Sequence, residues 1–291
     1  MSNFETKGLL RSVIGKKVNF SLYRDVNNPA KVYVRHPLDK SSKTSTEIHE
    51  LRSEGLKNWI YYFKEGNKSL EDIALALGNA VAVSEFDKKI KTIEIAKRVA
   101  YHDRKIYLCL HNENHKVIEI SSAEWKIIEE CAAPVLFIHS DNLKALPVPE
   151  KEGGNLRDLQ NFINVDESNL SLIIGWILAT FNNKIDCPIL HIEAPKGSGK
   201  TTTTMFLKEL IDPDTTGVVA PFGNYRDLCA AAKQIHLLAL DNLSGFSKRE
   251  SNELCRAVTG AGHLNRKLYT DSTLHTSNLH NPFIVNGINF G

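Results

Sequence analysis

The stretch CPILHIEAPKGSGKTTTT, residues 187–204, constrains the fold more than any other. The apolar run from Cys187 to Ala194 reads as a buried strand of a parallel sheet. It passes directly into Pro195-Lys196-Gly197-Ser198-Gly199-Lys200-Thr201 and then into a helix-forming segment. Strand, glycine loop and helix in that order make a phosphate cradle, because backbone N–H groups and the positive end of the helix converge on an anion. The spacing rule is Gly, four residues, then Gly-Lys-Ser/Thr. Gly199, Lys200 and Thr201 obey it, and Ala194 stands where the first glycine belongs. That position needs a small residue where strand becomes loop, and alanine is the smallest substitute. Gly197 and Gly199 permit unusual dihedrals and close approach of phosphate oxygens. The expected ligand set is Pro195, Lys196, Gly197, Ser198, Gly199, Lys200, Thr201 and Thr202, holding ATP. Lys200 reaches the β- and γ-phosphates, and the Thr201 hydroxyl reaches Mg²⁺.

Two later segments extend this site. KQIHLLALDNLS is an apolar strand ending in Asp241, about forty residues after Lys200. An acidic residue there reaches Mg²⁺ beside Thr201, as a Walker B segment does. Asn242 follows it, and an amide can orient a water but cannot take its proton. Binding is therefore a firmer expectation than hydrolysis. NPFIVNGIN is a further strand ending in Asn286, expected between the γ-phosphate and Asp241, where it holds the attacking water. Between these strands, the helix through Cys255 and Arg256 is expected to stop at Gly260. Arg266, Lys267 and Tyr269 then lie on a hairpin turning at Asp271-Ser272, which is either a DNA-phosphate contact or merely structural.

The alternation of helix and strand after residue 150 predicts a parallel α/β sheet. The proline- and glycine-punctuated KALPVPEKEGGNLRDLQNFINVD marks the boundary before it. Ahead of that boundary, a helix is expected from Glu47 and another capped by Ser69, followed by short alternating runs that read as an antiparallel meander. HNENH, His111 to His115, sits between two of those runs and reads as a turn with no metal. Residues 1–43 carry nine basic and three acidic residues, which fits a solvated irregular arm or a contact to nucleic-acid backbone. The predicted organisation is thus a basic irregular arm (1–46), an α+β accessory domain (47–150) and a nucleotide-binding α/β domain (151–291).

The net charge of +2, from 36 basic and 34 acidic side chains, points to no partner by itself. Five scattered cysteines make neither a zinc motif nor a disulfide framework, which suits a cytoplasmic protein. LSLIIGWILATF is too short to cross a bilayer and reads as a buried helix, so no membrane partner is expected.

Taken in order, LPVPEKEGGNL, the glycine loop, YRDLCAAAK, LALDNLS, LCRAVTGAG, RKLYTD and NPFIVNGI resemble the P-loop ATPases of phages and mobile elements related to primase-associated helicases, akin to superfamily 3. The resemblance spans about residues 105–291. It implies a P-loop NTPase domain with a parallel central sheet, with Lys200 and Thr201 on ATP and Mg²⁺, Asp241 as Walker B and Asn286 as the sensor-like residue. It implies a hexameric ring acting on DNA, single-stranded in the main, beside a primase or other replication protein. Related ATPases continue into a further strand, helices and an arginine that acts on a neighbour's nucleotide, so the domain is expected to be incomplete at Gly291. Two other readings stay open: a nucleotide-holding switch without hydrolysis, and a small-molecule or polynucleotide kinase, since a P-loop alone does not separate kinase from motor.

Overall fold

The computed structural model describes residues 5–15, 17–38, 46–64, 67–140, 142–243, 245, 247–260, 263–266, 274–277 and 279–287. Two compact units divide the chain, and the division is interleaved. Met1–Ala96 with Ile128–His139 form the first, and Lys97–Ile127 with Ser140–Gly291 form the second.

The first unit opens with α1 (Thr6–Ile14), β1 (Ser21–Asp25), β2 (Val32–Pro37) and β3 (Thr46–Glu50). It continues with α2 (Glu54–Phe63), α3 (Leu70–Ser84), β4 (Lys91–Ile93) and β5 (Ile95–Ala96). Its four-stranded sheet runs in the order β3-β2-β1-β4, antiparallel except for β1 with β4. The irregular arm expected over residues 1–46 is therefore corrected. Leu10, Ile14, Phe20, Val32 and Val34 are buried in one core with Leu56, Ile60 and Ile73. The basic residues do not prevent this, because Lys7 and Arg11 lay their ends over the Phe20 ring while the apolar positions turn inward.

The helix expected from Glu47 is corrected as well. Residues 46–50 pair with β2 as a strand, and the helix starts only at Glu54, behind Ser53, whose hydroxyl accepts from Leu56 N–H. Ile48 and Leu51, three apart, fit a helical period, but pairing with β2 makes residues 46–50 a strand and leaves Leu51 in the turn after it. Ser69 caps α3 as expected, in a reciprocal box with Asp72.

The chain next forms β6 (Val99–His102), β7 (Lys105–Cys109), β8 (Lys116–Ile120) and β9 (Trp125–Glu129), a sheet in that strand order. Four of the expected meander runs meet here, but the fifth, VLFIHS, pairs elsewhere, and residues 97–127 cluster with the C-terminal half rather than with an accessory domain ending near 150. HNENH is the β7–β8 turn, with left-handed backbone at His111 and His115. The chain returns to the first unit as β10 (Leu136–Phe137), parallel to β5, and then re-enters the second.

There α4 (Glu167–Thr180) precedes β11 (Leu190–Glu193), α5 (Lys200–Ile211), α6 (Tyr225–Ala232), β12 (Leu238–Leu243) and α7 (Lys248–Thr259). The hairpin β13 (His263–Arg266) and β14 (Leu274–Ser277) and the strand β15 (Phe283–Gly287) follow. Among the described residues the sheet has three parallel strands, β11-β15-β12. The middle strand, β15, is buried at every position, whereas β11 exposes His191 and Glu193 and is an edge rather than a buried strand. One face of α5, through Leu207 and Ile211, packs with Leu237, Ala239 and Ile284. Helix α4 joins that core through Ile173, Trp176 and Ile177 and leaves Leu172 and Leu178 exposed, so it is buried on one side only. Helix α7 ends at Gly260 in left-handed conformation, as expected. No described helix is long and apolar enough to cross a membrane.

Candidate functional site

The site gathers at the carboxyl ends of the three parallel strands, where α/β sheets bind ligands. Strand β11 delivers the loop 194–199, which turns into α5 at Gly199. Gly197 (φ +81°) and Gly199 (φ +84°) both hold left-handed backbone, so each glycine is required by conformation. Ala194 is not among the residues with positive φ, and its Cβ is therefore accommodated without strain. What the first position supplies is a carbonyl. Lys200 Nζ donates to Ala194 O at 2.7 Å and to Pro195 O at 2.8 Å.

No side chain caps the first turn of α5, because its N-cap is Gly199. The first N–H groups of a helix have no partner within it, and here they are left facing the loop. Ser198 Oγ is buried and has no hydrogen-bond partner among the described residues. Pro195, Lys196 and Thr202 are exposed around this cradle. Its chemistry is anion-directed: amide dipoles, an ammonium and an unsatisfied hydroxyl, with no carboxylate on the loop itself.

Thr201 and Asp241 meet beside it. Thr201 Oγ1 lies 3.0 and 3.2 Å from the two Asp241 carboxylate oxygens, donating across from α5 to β12. The β12–β15 register shifts between Leu240 and Leu243, and Asn242 takes φ +61°. Such an irregularity re-aims side chains near a site. A hydroxyl and a carboxylate at this spacing are oxygen donors of the type a hard divalent cation takes.

Asn286, on β15, is buried and held at both ends. Its Oδ1 accepts from Asn242 N–H at 3.1 Å, and its Nδ2 donates to Thr204 Oγ1 at 2.8 Å. Thr204 in turn donates to Lys200 O at 2.9 Å. The Asn286 amide thus ties β12 and β15 to α5 at Thr204, one turn beyond Lys200. Arg266 lies on β13, while Lys267, Tyr269 and the turn Asp271-Ser272 lie outside the described residues.

Sequence reasoning missed a buried charge cluster behind the loop helix. Lys208 on α5 binds Asp212 at 3.1 Å, Asp214 at 2.7 Å and Leu237 O at 2.8 Å. Arg98 pairs with Asp212 and also donates to Lys144 O and Pro213 O. Asp212 Oδ2 accepts from His236 and Leu237 N–H, each at 2.9 Å, at the start of the β12 segment. Burial alone would raise the Asp212 carboxyl, but Lys208, Arg98 and His236 outweigh it and hold it well below the usual carboxylate range. The only local signal was the Lys208–Asp212 spacing of four residues on a helix end.

The described features define a mixed α/β protein whose anion-directed glycine loop and Thr–Asp pair share one end of a parallel sheet. Residues 154–291 match the family model of the actinomycete integrative conjugative element replication protein, so this segment is similar to replication proteins of mobile elements. The chain is also similar to an apo structure of the NrS-1 C-terminal region, at TM-score 0.44 and 13% identity, covering 92% of this chain and 54% of that one. A structure of the NrS-1 C-terminal region, residues 305–718, gives TM-score 0.44 and 13% identity, covering 98% and 56%. The structure described as SCCmec type IV Cch, active helicase, gives TM-score 0.43 and 11% identity, covering 94% and 50%. The chain thus spans about half the length of these structures. Among curated proteins, none matches it.

Proposed function

We propose that the second unit is a P-loop NTPase module that binds ATP with Mg²⁺ and hydrolyses it, as part of the DNA replication machinery of a mobile element. The observation that carries the reading is the Thr201–Asp241 contact beside a glycine loop whose helix lacks a side-chain cap. The family match over residues 154–291 supports the replication setting.

In this reading Lys200 exchanges its carbonyl partners for the β- and γ-phosphates, and the first N–H groups of α5 take the remaining oxygens. Ser198 Oγ, without a partner among the described residues, suits the same ligand. Thr201 and Asp241 hold the cation. When bound, Mg²⁺–ATP supplies a phosphoanhydride with its charge partly neutralised for in-line attack by water. Asn286 acts by fixing the spacing of Lys200, Thr204 and Asn242. Single-stranded DNA is the proposed partner, with Arg266 and Lys267 as its contacts, alongside a primase and further copies of the chain in a ring.

The test is Mg²⁺-dependent phosphate release from ATP, with and without single-stranded DNA, in the parent and in Lys200→Ala. Turnover stimulated by DNA and lost in the variant is the expected result. Unchanged nucleotide affinity in Lys200→Ala would remove the loop from the site. A second reading, a switch that holds ATP without cleaving it, is favoured by Asn242, which stands after Asp241 and cannot accept the water's proton. Saturable binding with no phosphate release would establish that reading instead.

A further inference from the structure

One face of the β2–β3 pair in the first unit carries three donors that the nucleotide site does not use. His36 on β2 sits opposite Glu47 on β3, and His49 lies two residues further along β3. Alternation along strands therefore puts all three side chains on the same face. One donor atom from each lies within 4.8 Å of the other two.

The orientation of His36 is fixed. Its Nδ1 lies 3.0 Å from Pro37 O, which only accepts, so Nδ1 carries the proton and Nε2 presents a lone pair. That Nε2 is 2.7 Å from His49 Nδ1. Pro37 O also accepts from Trp59 Nε1 at 2.9 Å, and the indole stacks on the imidazole with centroids 4.0 Å apart. A ring whose far nitrogen is tied to a backbone carbonyl while the near one faces other donors is the arrangement that ligating histidines adopt. Opposite it, the His49 ring lies close against the first turn of α2. A Cβ on Gly55 would come within 2.5 Å of His49 Cδ2 and Nε2.

We propose that His36 Nε2, His49 Nδ1 and the Glu47 carboxylate bind one Zn²⁺, with water as the fourth ligand. Two imidazoles and a carboxylate select a borderline transition metal over Mg²⁺ or Ca²⁺, which take oxygen ligands. Tetrahedral Zn–N bonds of about 2.0–2.1 Å place ligand atoms about 3.3 Å apart. The two imidazole nitrogens must therefore part slightly from their present hydrogen bond. Metal binding takes the His49 tautomer that leaves Nδ1 unprotonated. The ion would join β2 to β3 beside the Trp59 indole, which stacks on His36, and the water leaves one coordination position open. The site is independent of the nucleotide reading of the second unit.

The experiment uses the full chain stripped with chelator and titrated with Co²⁺, then Zn²⁺, in excess Mg²⁺ to fill hard-oxygen sites. Expected is one equivalent of Co²⁺ giving the visible bands of a tetrahedral nitrogen and oxygen site, displaced by Zn²⁺, with Zn²⁺ raising the Tm. Because His36 is buried and its loss could unfold the unit, the variants are Glu47→Gln and His49→Gln, with apo far-UV circular dichroism matching the parent. Each should weaken binding at least roughly tenfold. No uptake, or uptake at parental affinity in both variants, would overturn the site. Thiolate-to-cobalt charge transfer that both variants preserve would overturn it equally, by placing the metal on cysteine.

Discussion

At the scale of single residues, Asn286 is where packing and chemistry meet. Its amide satisfies an N–H on β12 and a hydroxyl on α5 at once. Asn286→Ala removes the partner of the part-buried Asn242 N–H and one of the two hydrogen bonds of the buried Thr204 hydroxyl, and leaving a buried polar group unpaired costs about 1–3 kcal/mol. The expected outcome is a lower denaturant midpoint for the second unit with an unchanged slope, together with weaker nucleotide affinity. Gly199→Ala should cost about 1–2 kcal/mol through left-handed strain alone, since nothing lies within 4 Å of the added Cβ. An unaltered midpoint there would mean that the loop relaxes into another conformation. Residue-scale features such as these were legible because they are local. The glycines, Lys200, Thr201 and the stop at Gly260 follow from backbone rules that span a few positions. The role of Asn286 was read only in part, because its partners lie 44 and 82 residues away. Spacing alone could not show that both ends of its amide were taken.

At the scale of elements, helix α5 is seated by charge as well as by its apolar face. Lys208, Asp212 and Arg98 are fully or almost fully buried, and removing one member of such a set leaves an uncompensated charge. Arg98→Ala is therefore expected to destabilise by about 3–5 kcal/mol, read as a fall in the thermal midpoint of the second unit. Arg98→Met, which keeps the volume, still strands Asp212 against Lys208 alone and should lie between variant and parent. His236 adds a pH dependence. Its Nε2 donates to Thr180 O, and burial, with Lys97 and Arg98 opposed by Asp212, pushes its imidazolium down to about 4. The unfolded chain binds a proton near pH 6.5 and the folded chain does not. Stability is thus full above pH 6.5 and falls as pH drops toward 4, by about 3 kcal/mol for this group. Chemical denaturation at pH 7 and pH 4.5 should show that loss, and His236→Asn should flatten it. Sequence patterning could not reveal this cluster, since Arg98 and Asp212 are 114 residues apart. It misassigned residues 46–50 for a related reason. Ile48 and Leu51 satisfy a helical period, and only pairing with β2 makes residues 46–50 a strand.

At the scale of the whole molecule, the chain passes between its two units three times, after residues 96, 127 and 139. The expected linear order of arm, accessory domain and ATPase gives way to an interleaved one. A fragment beginning at residue 154, where the family match starts, keeps Lys200, Asp241 and Asn286 but omits Arg98. Its transition, followed through Trp176, should be broader and at lower denaturant than that of the full chain. A sharp transition at the parental midpoint would mean that Arg98 contributes little. The interleaving also bears on inheritance. A recombination event that carried off only the segment holding the glycine loop would deliver an intact motif with Asp212 and Lys208 stranded behind it. Successful exchange between relatives is expected to take the segment that begins at Lys97 along with the loop, so that breakpoints fall before residue 97 rather than at the proline-rich boundary near 150.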